Sequence, residues 1–258
     1  VTAWSTLNAY LRYRRTAVGR HSVHSPFVFE LLTKVFPPQK EDELDAHIAE
    51  EWRTECINNH QLIRVTDFGT GRPGPRKISS IARHAAKRPP QGQLLHRIVR
   101  YFEPENLLEL GTSLGITTLY QATAAPFEKF ITLEGCPETA AVAQQAFLQH
   151  RLNIEVRTGE FENTLLPALQ SLGKADYIFF DGNHRKVPTL HYFETALPFA
   201  HNNSLFIFDD IHWSNEMEEA WETIRSRPEV RLSIDLFHFG LVFFREEQKE
   251  KEHFVLRF

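Results

Sequence analysis

Residues 107–118 read LLELGTSLGITT. A short apolar run passes into a turn with two glycines and then into the threonines of a helix start. Gly111 and Gly115 let the backbone turn sharply and approach a ligand closely. Thr112 and Ser113 lie in the turn, and Thr117 and Thr118 lie near the start of the helix, whose free N–H groups face the loop. The next apolar run, ITLEG, ends in Glu134. Ligands of open parallel sheets bind beyond the carboxyl ends of the strands, and an acid there can accept both hydroxyl hydrogens of a ribose. A dinucleotide fingerprint needs three glycines spaced for a pyrophosphate. Here the middle glycine is missing, and Glu109 ahead of the turn would repel a phosphate. A cationic nucleoside without phosphate, such as S-adenosylmethionine, suits this loop better. The plainer alternative is that the glycines merely turn a strand into a helix.

Outward from this stretch, strands and helices alternate. Candidate strands cover 106–110, 129–134, 153–158, 176–181, 204–210, 230–237 and 240–245, with helices at 115–125, 137–150, 161–172, 186–200 and 214–226. Such alternation implies parallel strands joined by right-handed crossovers. The last two strands are separated by two residues and must pair antiparallel. The expectation is an α/β, Rossmann-like doubly wound sheet of seven strands over residues 105–258. Residues 1–104 read instead as a helical region on the substrate side, with apolar residues at helical spacing in WSTLNAYLRYRR, SPFVFELLTKVF and DELDAHIAEEWRTECINNHQLI. The charge run EEQKEKEH (246–253) reads as a solvated linker to a short apolar end.

Two of these strands end in acid. YIFFDGNHRK (177–186) runs from a buried strand straight into Asp181, and FIFDD (206–210) ends in Asp209 and Asp210. A carboxylate at the end of an apolar strand is costly to desolvate without compensation. In an open parallel sheet these ends share an edge with the glycine loop, and three converging carboxylates repel one another unless a cation sits among them. A divalent ion with oxygen ligands answers this: Mg²⁺, with Mn²⁺ or Ca²⁺ as alternatives. Such an ion would hold two substrate oxygens and lower the pKa of the one that reacts. His184, three residues past Asp181, is a candidate general base. Other uses remain open at this level. Asp181 and Asp210 suit helix caps, a site without metal is equally constructible, and His184 suits packing on the cofactor. His212 and Trp213 are candidate site walls or an ordinary loop.

The bulk properties narrow the class. A net charge of −4 over 258 residues gives no overall basic field for nucleic acid. No apolar run is long enough to span a bilayer, and the N-terminal residues lack the order of a signal peptide. Two cysteines make neither a disulfide framework nor a zinc cluster, so a reducing cytoplasm is expected. The apolar N-terminal helix offers a surface for a homodimer.

LLELGTSLGITT, ITLEG, RTGEFENTLLPAL, DYIFFDGNH and SLFIFDDIHW occur in the order and spacing of class I S-adenosylmethionine-dependent methyltransferases. They most resemble the O-methyltransferase branch that holds catechol-type and macrolide-sugar enzymes, over roughly residues 105–245. The resemblance implies that Glu109 and the Gly111–Gly115 loop, with Thr112, Ser113 and Thr117, meet the methionine part. It also implies that Glu134 holds the ribose, that Glu160 and Phe161 lie near adenine, and that Asp181 touches both cofactor and metal. Asp-Gly-x-His resembles the metal-dependent sugar O-methyltransferases, where it supplies a metal ligand and a base. Catechol-type relatives carry Lys where His184 falls and Asn where Asp210 falls, which directs the expectation toward a sugar or polyol hydroxyl, with a phenol as the further alternative. Rival readings are a tRNA nucleoside methyltransferase using the basic strip RYRRTAVGRHSVH (12–24), a non-catalytic nucleoside-binding module, and an NAD oxidoreductase. A second glycine/proline loop (65–77) suits a lid, with Arg76 and Lys77 toward an anionic group.

Overall fold

A computed structural model describes residues 3–66 and 73–257, with side chains from Thr6 onward. Residues 67–72 of the second glycine loop lie outside the described residues. In chain order the elements are α1 (Ala3–Thr16), α2 (Pro26–Glu30) continued by a π turn (Leu31–Val35), α3 (Asp42–Asp45), α4 (His47–Asn58), β1 (Leu62–Val65), β2 (Gly74–Lys77), α5 (Ile78–His84) and α6 (Pro89–Phe102). There follow β3 (Asn106–Leu110), α7 (Ile116–Ala122), β4 (Lys129–Glu134), α8 (Pro137–Gln149), β5 (Ile154–Thr158), α9 (Phe161–Leu172), β6 (Tyr177–Phe180), α10 (Lys186–Ala196), β7 (Leu205–Asp209), α11 (Asn215–Ser226), β8 (Leu232–Asp235), β9 (Phe239–Phe243) and β10 (Glu252–Val255). They fall into two units, Val35–Leu172 and Val1–Lys34 with Gly173–Phe258. The boundary expected near residue 104 falls inside the first of these.

In the unit Val35–Leu172, β3, β4 and β5 pair in parallel, with Leu108 opposite Ile131 and Ile131 opposite Glu155. β3 and β4 are buried almost end to end, the state that parallel strands reach when helices cover both faces. Helix α7 carries Tyr120 into a core with Trp52, Leu114, Ile116 and Phe147, and the Trp52 indole donates to the Leu114 carbonyl at 2.8 Å. Arg97 of α6 is buried and donates to the carbonyls of Val35 (2.7 Å) and Phe36 (2.8 Å) and to the Asp42 carboxylate. It thereby ties the turn at 36–39 to the helix. Before this core, β1 and β2 form an antiparallel hairpin, Leu62 opposite Lys77. The hairpin corrects the all-helical reading of residues 1–104.

The other unit holds strands in the order β10-β8-β9-β7-β6. β6 and β7 are parallel, β9 runs antiparallel to both β7 and β8, and β10 runs parallel to β8. The expected terminal hairpin is thus present as β8–β9. Three strands in one unit and five in the other make eight, against seven expected. The additional one, β10, begins inside the charge run that reads as a linker. Its Glu252 N–H donates to the Arg231 carbonyl at 3.1 Å. Phe180 and Phe208 stack at 4.4 Å where β6 and β7 pair. Helix α1 belongs to this unit: Ala9, Tyr13 and Ala17 pack on Phe237, and the Tyr13 hydroxyl donates to the Leu256 carbonyl.

Candidate active site

The glycine turn between β3 and α7 is held from both sides. Gly111 adopts φ +102, Ser113 φ +48 and Gly115 φ +78. A side chain on Gly115 would meet Ala143 at 3.0 Å and the Phe147 ring at 3.1 Å, so this position requires glycine for both backbone and space. The N–H groups of Gly111 and Thr112 both donate to the Leu133 carbonyl, at 2.9 and 3.2 Å. Ser113 N–H donates to Glu134 Oε2 at 2.7 Å, and Cys136 N–H to Glu134 Oε1 at 2.8 Å. Burial pushes the Glu134 carboxyl above its ordinary range, against the N–H donors from Cys136 and Ser113 that favour the charged form. Each Glu134 oxygen keeps acceptor capacity, because a carboxylate offers about four lone-pair sites.

Glu109 is fully buried. Thr118 and Thr132 donate to its Oε2 at 2.5 and 2.7 Å, and Gln121 donates to its Oε1 at 2.7 Å. Thr112 lies 2.6 Å from the Thr132 hydroxyl, so the acid links strand, turn and helix through side-chain oxygens. Thr117 is buried at the start of α7. Glu160 is exposed, and its carbonyl accepts from the Asn163 and Thr164 N–H groups at the start of α9. Phe161, half-buried, is the first residue of that helix.

In the other unit, Asp181, His184 and Asp209 bring a ligand atom each to within 4.8 Å of one another. His184 Nε2 lies 3.7 Å from Asp181 Oδ1 and 4.0 Å from Asp209 Oδ2. These separations exceed hydrogen-bond length and admit an ion at roughly 2.1–2.4 Å from each atom. Asp209 is buried, while Asp181 and His184 are half-buried. The donor set, two carboxylate oxygens and an imidazole nitrogen, suits a divalent cation. Asp210 does not join this cluster. Its backbone is left-handed (φ +51) and its N–H donates to the His238 carbonyl at 2.8 Å, which directs it away from the register of Asp209. Neither acid caps a following helix through its side chain: Arg185 is the N-cap of α10 without a side-chain bond, and Ser214 caps α11 by accepting from Met217 N–H.

His212 lies beside this cluster in sequence but has its own partners. Its Nε2 is 2.8 Å from Asp235 Oδ2 and its Nδ1 3.1 Å from Glu218 Oε1, and its ring stacks on Phe237. Burial pulls the imidazole pKa down, but the hydrogen bond and charge of Asp235, with those of Glu218, outweigh it and leave the pKa raised. Glu218 also receives Arg12 of α1 through both oxygens, at 2.7 and 2.8 Å. The basic strip at 12–24 therefore does not begin with a free cation. Sequence reasoning misses this relay because its members lie on α1, α11 and β8, and only the topology joins them.

Residues 108–211 match a family profile described as a methyltransferase domain. Over 128 residues the chain is 35% identical to a catechol O-methyltransferase of Niastella koreensis, covering 48% of this chain and 57% of the relative. The chain thus spans little more than half the length of that curated relative. An O-methyltransferase from Bacillus cereus, solved in complex with SAH, is 20% identical at a TM-score of 0.54, over 90% of this chain and 99% of the other. An O-methyltransferase from Streptomyces achromogenes involved in tomaymycin synthesis, solved in complex with SAM, is 19% identical at a TM-score of 0.53, over 84% and 95%. These likenesses establish the fold. Residues 108–211 are thus similar to a methyltransferase domain, and the chain shares its α/β fold with the two solved O-methyltransferases.

Proposed function

We propose that the protein is an S-adenosylmethionine-dependent O-methyltransferase, assisted by a divalent metal, that acts on a hydroxyl of a small molecule in the cytoplasm. The observation that carries the reading is Glu134. It ends β4 with its carboxylate turned to the glycine turn, and its remaining lone pairs suit the two ribose hydroxyls. The Gly111–Gly115 turn, with Thr112, Ser113 and Thr117, takes the methionine part, and Glu160 and Phe161 flank adenine. Glu109 acts through Thr118 and Thr132 to hold that turn in shape, because its oxygens already accept from side chains.

Asp181 and Asp209 would hold Mg²⁺, or Mn²⁺ or Ca²⁺ in its place, with the His184 imidazole beside the ion but not coordinated to it, so that it keeps its lone pair for a proton, and Asp210 supporting the loop. The ion, when bound, supplies a positive charge that acidifies the acceptor hydroxyl. S-adenosylmethionine, when bound, would supply the methyl group and keep the sulfur as S-adenosylhomocysteine, and His184 would take the proton of the acceptor hydroxyl. Most of the acceleration comes from holding oxygen and methyl carbon in line. Free, buried Cys56 and Cys136 suit a reducing compartment, and no helix among the described residues is long and apolar enough to cross a membrane.

Calorimetry with S-adenosylmethionine, S-adenosylhomocysteine and NAD tests the cofactor. Binding of the two sulfur ligands and none of NAD is expected, and heat from NAD alone overturns the assignment. Labelled-methyl transfer that a chelator leaves unchanged would remove the metal from the proposal and keep the transferase.

A further inference from the structure

A cavity of about 320 Å³ lies wholly within the unit Val35–Leu172 and shares no lining residue with the glycine turn or the acid cluster. Its volume is at the lower end of the range of small-molecule sites. Helix α4 lines it with Trp52, Glu55 and Cys56, and helix α8 with Glu138, Ala141 and Val142. Each triplet has the i, i+3, i+4 spacing of a single helix face. Ile63 of β1 and Ile78 of α5, both buried, add to the apolar wall. The Trp52 indole N–H already donates to the Leu114 carbonyl, so this side chain gives the cavity hydrocarbon. Cys56 is buried, and among the described residues its thiol has no hydrogen-bond partner. Burial, with the nearby charge of Glu55, pushes that thiol up to about 12 against the opposing charge of Arg53, so it stays neutral. The charge on the cavity is of one sign. Glu55 and Glu138 are exposed, and their partners among the described residues are neutral: the Gln149 amide donates to Glu55 Oε1 at 3.5 Å, and the Arg64 backbone N–H to Glu138 Oε2 at 2.6 Å. The other lining residues are Asn59, Gln61 and Gln145, so no Lys, Arg or His stands among them. Two carboxylates without a countercharge repel an anion, and the apolar wall beneath them offers a bare metal ion no ligands. A cation carried on hydrocarbon satisfies both parts, because its charged end stays in water while its stem is buried.

We propose that this cavity is a second ligand site, separate from that of methyl transfer, and that it takes a primary ammonium on an aliphatic body, the hydrocarbon against Trp52, Ile63 and Val142 and the ammonium between Glu55 and Glu138. An ammonium has three donors and can serve both acids at once. The inference stands apart from the methyltransferase reading, since none of its residues holds the cofactor or the metal in that reading.

The test is calorimetry of the full chain at low salt with cyclohexylmethylammonium, its uncharged counterpart cyclohexylmethanol and the anion cyclohexanecarboxylate. With about threefold from each exposed carboxylate, the amine should bind about tenfold tighter than the alcohol, and the anion more weakly than either. Glu55→Gln and Glu138→Gln should each cut the amine-to-alcohol ratio about threefold, and the double variant should bring it close to one. Ala141→Trp places a large ring from an exposed position of α8 into the cavity and should abolish binding of amine and alcohol alike. Asp181→Ala, at the acid cluster of the other unit, should leave the ratio unchanged. Equal affinity for amine and alcohol, or no heat from the amine, overturns the proposal. So does a ratio that the double variant leaves in place, or one that falls with Asp181→Ala instead, which would put the amine at the acid cluster. Amine binding that survives in a folded Ala141→Trp protein overturns it as well. Because none of these measurements uses methyl transfer or S-adenosylmethionine, failure here leaves the transferase reading standing, and failure of that reading leaves the amine site standing.

Discussion

Carboxylates serve opposite ends in the two units. In the unit Val35–Leu172, Glu109 and Glu134 accept hydrogen bonds from four neighbouring residue types: Thr118, Thr132 and Gln121 on one acid, and the Ser113 and Cys136 N–H groups on the other. In the unit that carries α1, Asp181 and Asp209 lie 3.7 and 4.0 Å from His184 Nε2, distances too long for hydrogen bonds, and the three form one cluster. The first pair is built into the fold, with neutral donors of the chain stabilising negative charge. The second would, under the proposed function, be completed by the charge of a bound divalent ion. Burial alone does not separate them, since both Glu109 and Asp209 are buried. The geometry of the donors does.

The largest effect that can break this contrast is at the acid cluster. Asp181→Ala and Asp209→Ala are each expected to lower labelled-methyl transfer by at least about a hundredfold, while the affinity for S-adenosylhomocysteine changes less than about threefold. Manganese binding followed by electron paramagnetic resonance should disappear in the same variants. A variant that keeps the manganese signal would show that the cluster is structural, like Glu109. Next in size is Glu109→Ala. It strands three buried donors and should cost about 3 kcal/mol of unfolding free energy in urea, whereas Glu109→Gln, which keeps one acceptor, should cost about half. Equal losses for Ala and Gln, which both remove the charge, would mean that charge, rather than acceptor count, holds the turn. Gly115→Ala should follow at about 2 kcal/mol, from the left-handed backbone and the contact with Phe147.

The contrast explains what sequence reading delivers. β3 and β4 are legible to the residue because buried parallel strands read as unbroken apolar runs. The ends of β6 and β7 are less sharp, since Asp181 and Asp210 extend the pattern by a residue that no longer pairs. The β1–β2 hairpin is not legible: Gly-Pro-Arg-Lys has no strand propensity, and β2 is a strand through its backbone pairing with β1, whose Ile63 and Val65 are buried in the core. β10 hides in a charge run for the same reason, with only part of each residue buried. Within the candidate site, Asp181, His184 and Asp209 are legible as acids and a base that end apolar runs. Their mutual distances, and the exclusion of Asp210, require the backbone turn at φ +51.

The smallest expected effect sharpens the comparison at a histidine. His212 lies between Asp235 and Glu218, with the Arg12 guanidinium on the far side of Glu218 and Tyr13 and Phe237 against its ring. Its folded pKa is raised above the ordinary 6.5. A group whose pKa rises on folding contributes stability that is fully present below its unfolded value and is lost as pH climbs through the folded one. The window therefore opens near pH 6.5 and extends upward. Unfolding midpoints of the unaltered protein and of His212→Gln should differ most at pH 6 and converge by about pH 9. Because the ring is half-buried and solvent screens its partners, the difference is held to about 1 kcal/mol or less. Glu134, also raised, contributes a loss of the same sign in a lower window that opens near 4.5, so a scan from pH 4 to 9 separates the two acid–base systems. Parallel curves for the two proteins between pH 6 and 9 would mean that His212 is neutral in the folded state, and that Arg12 alone ties α1 to Glu218.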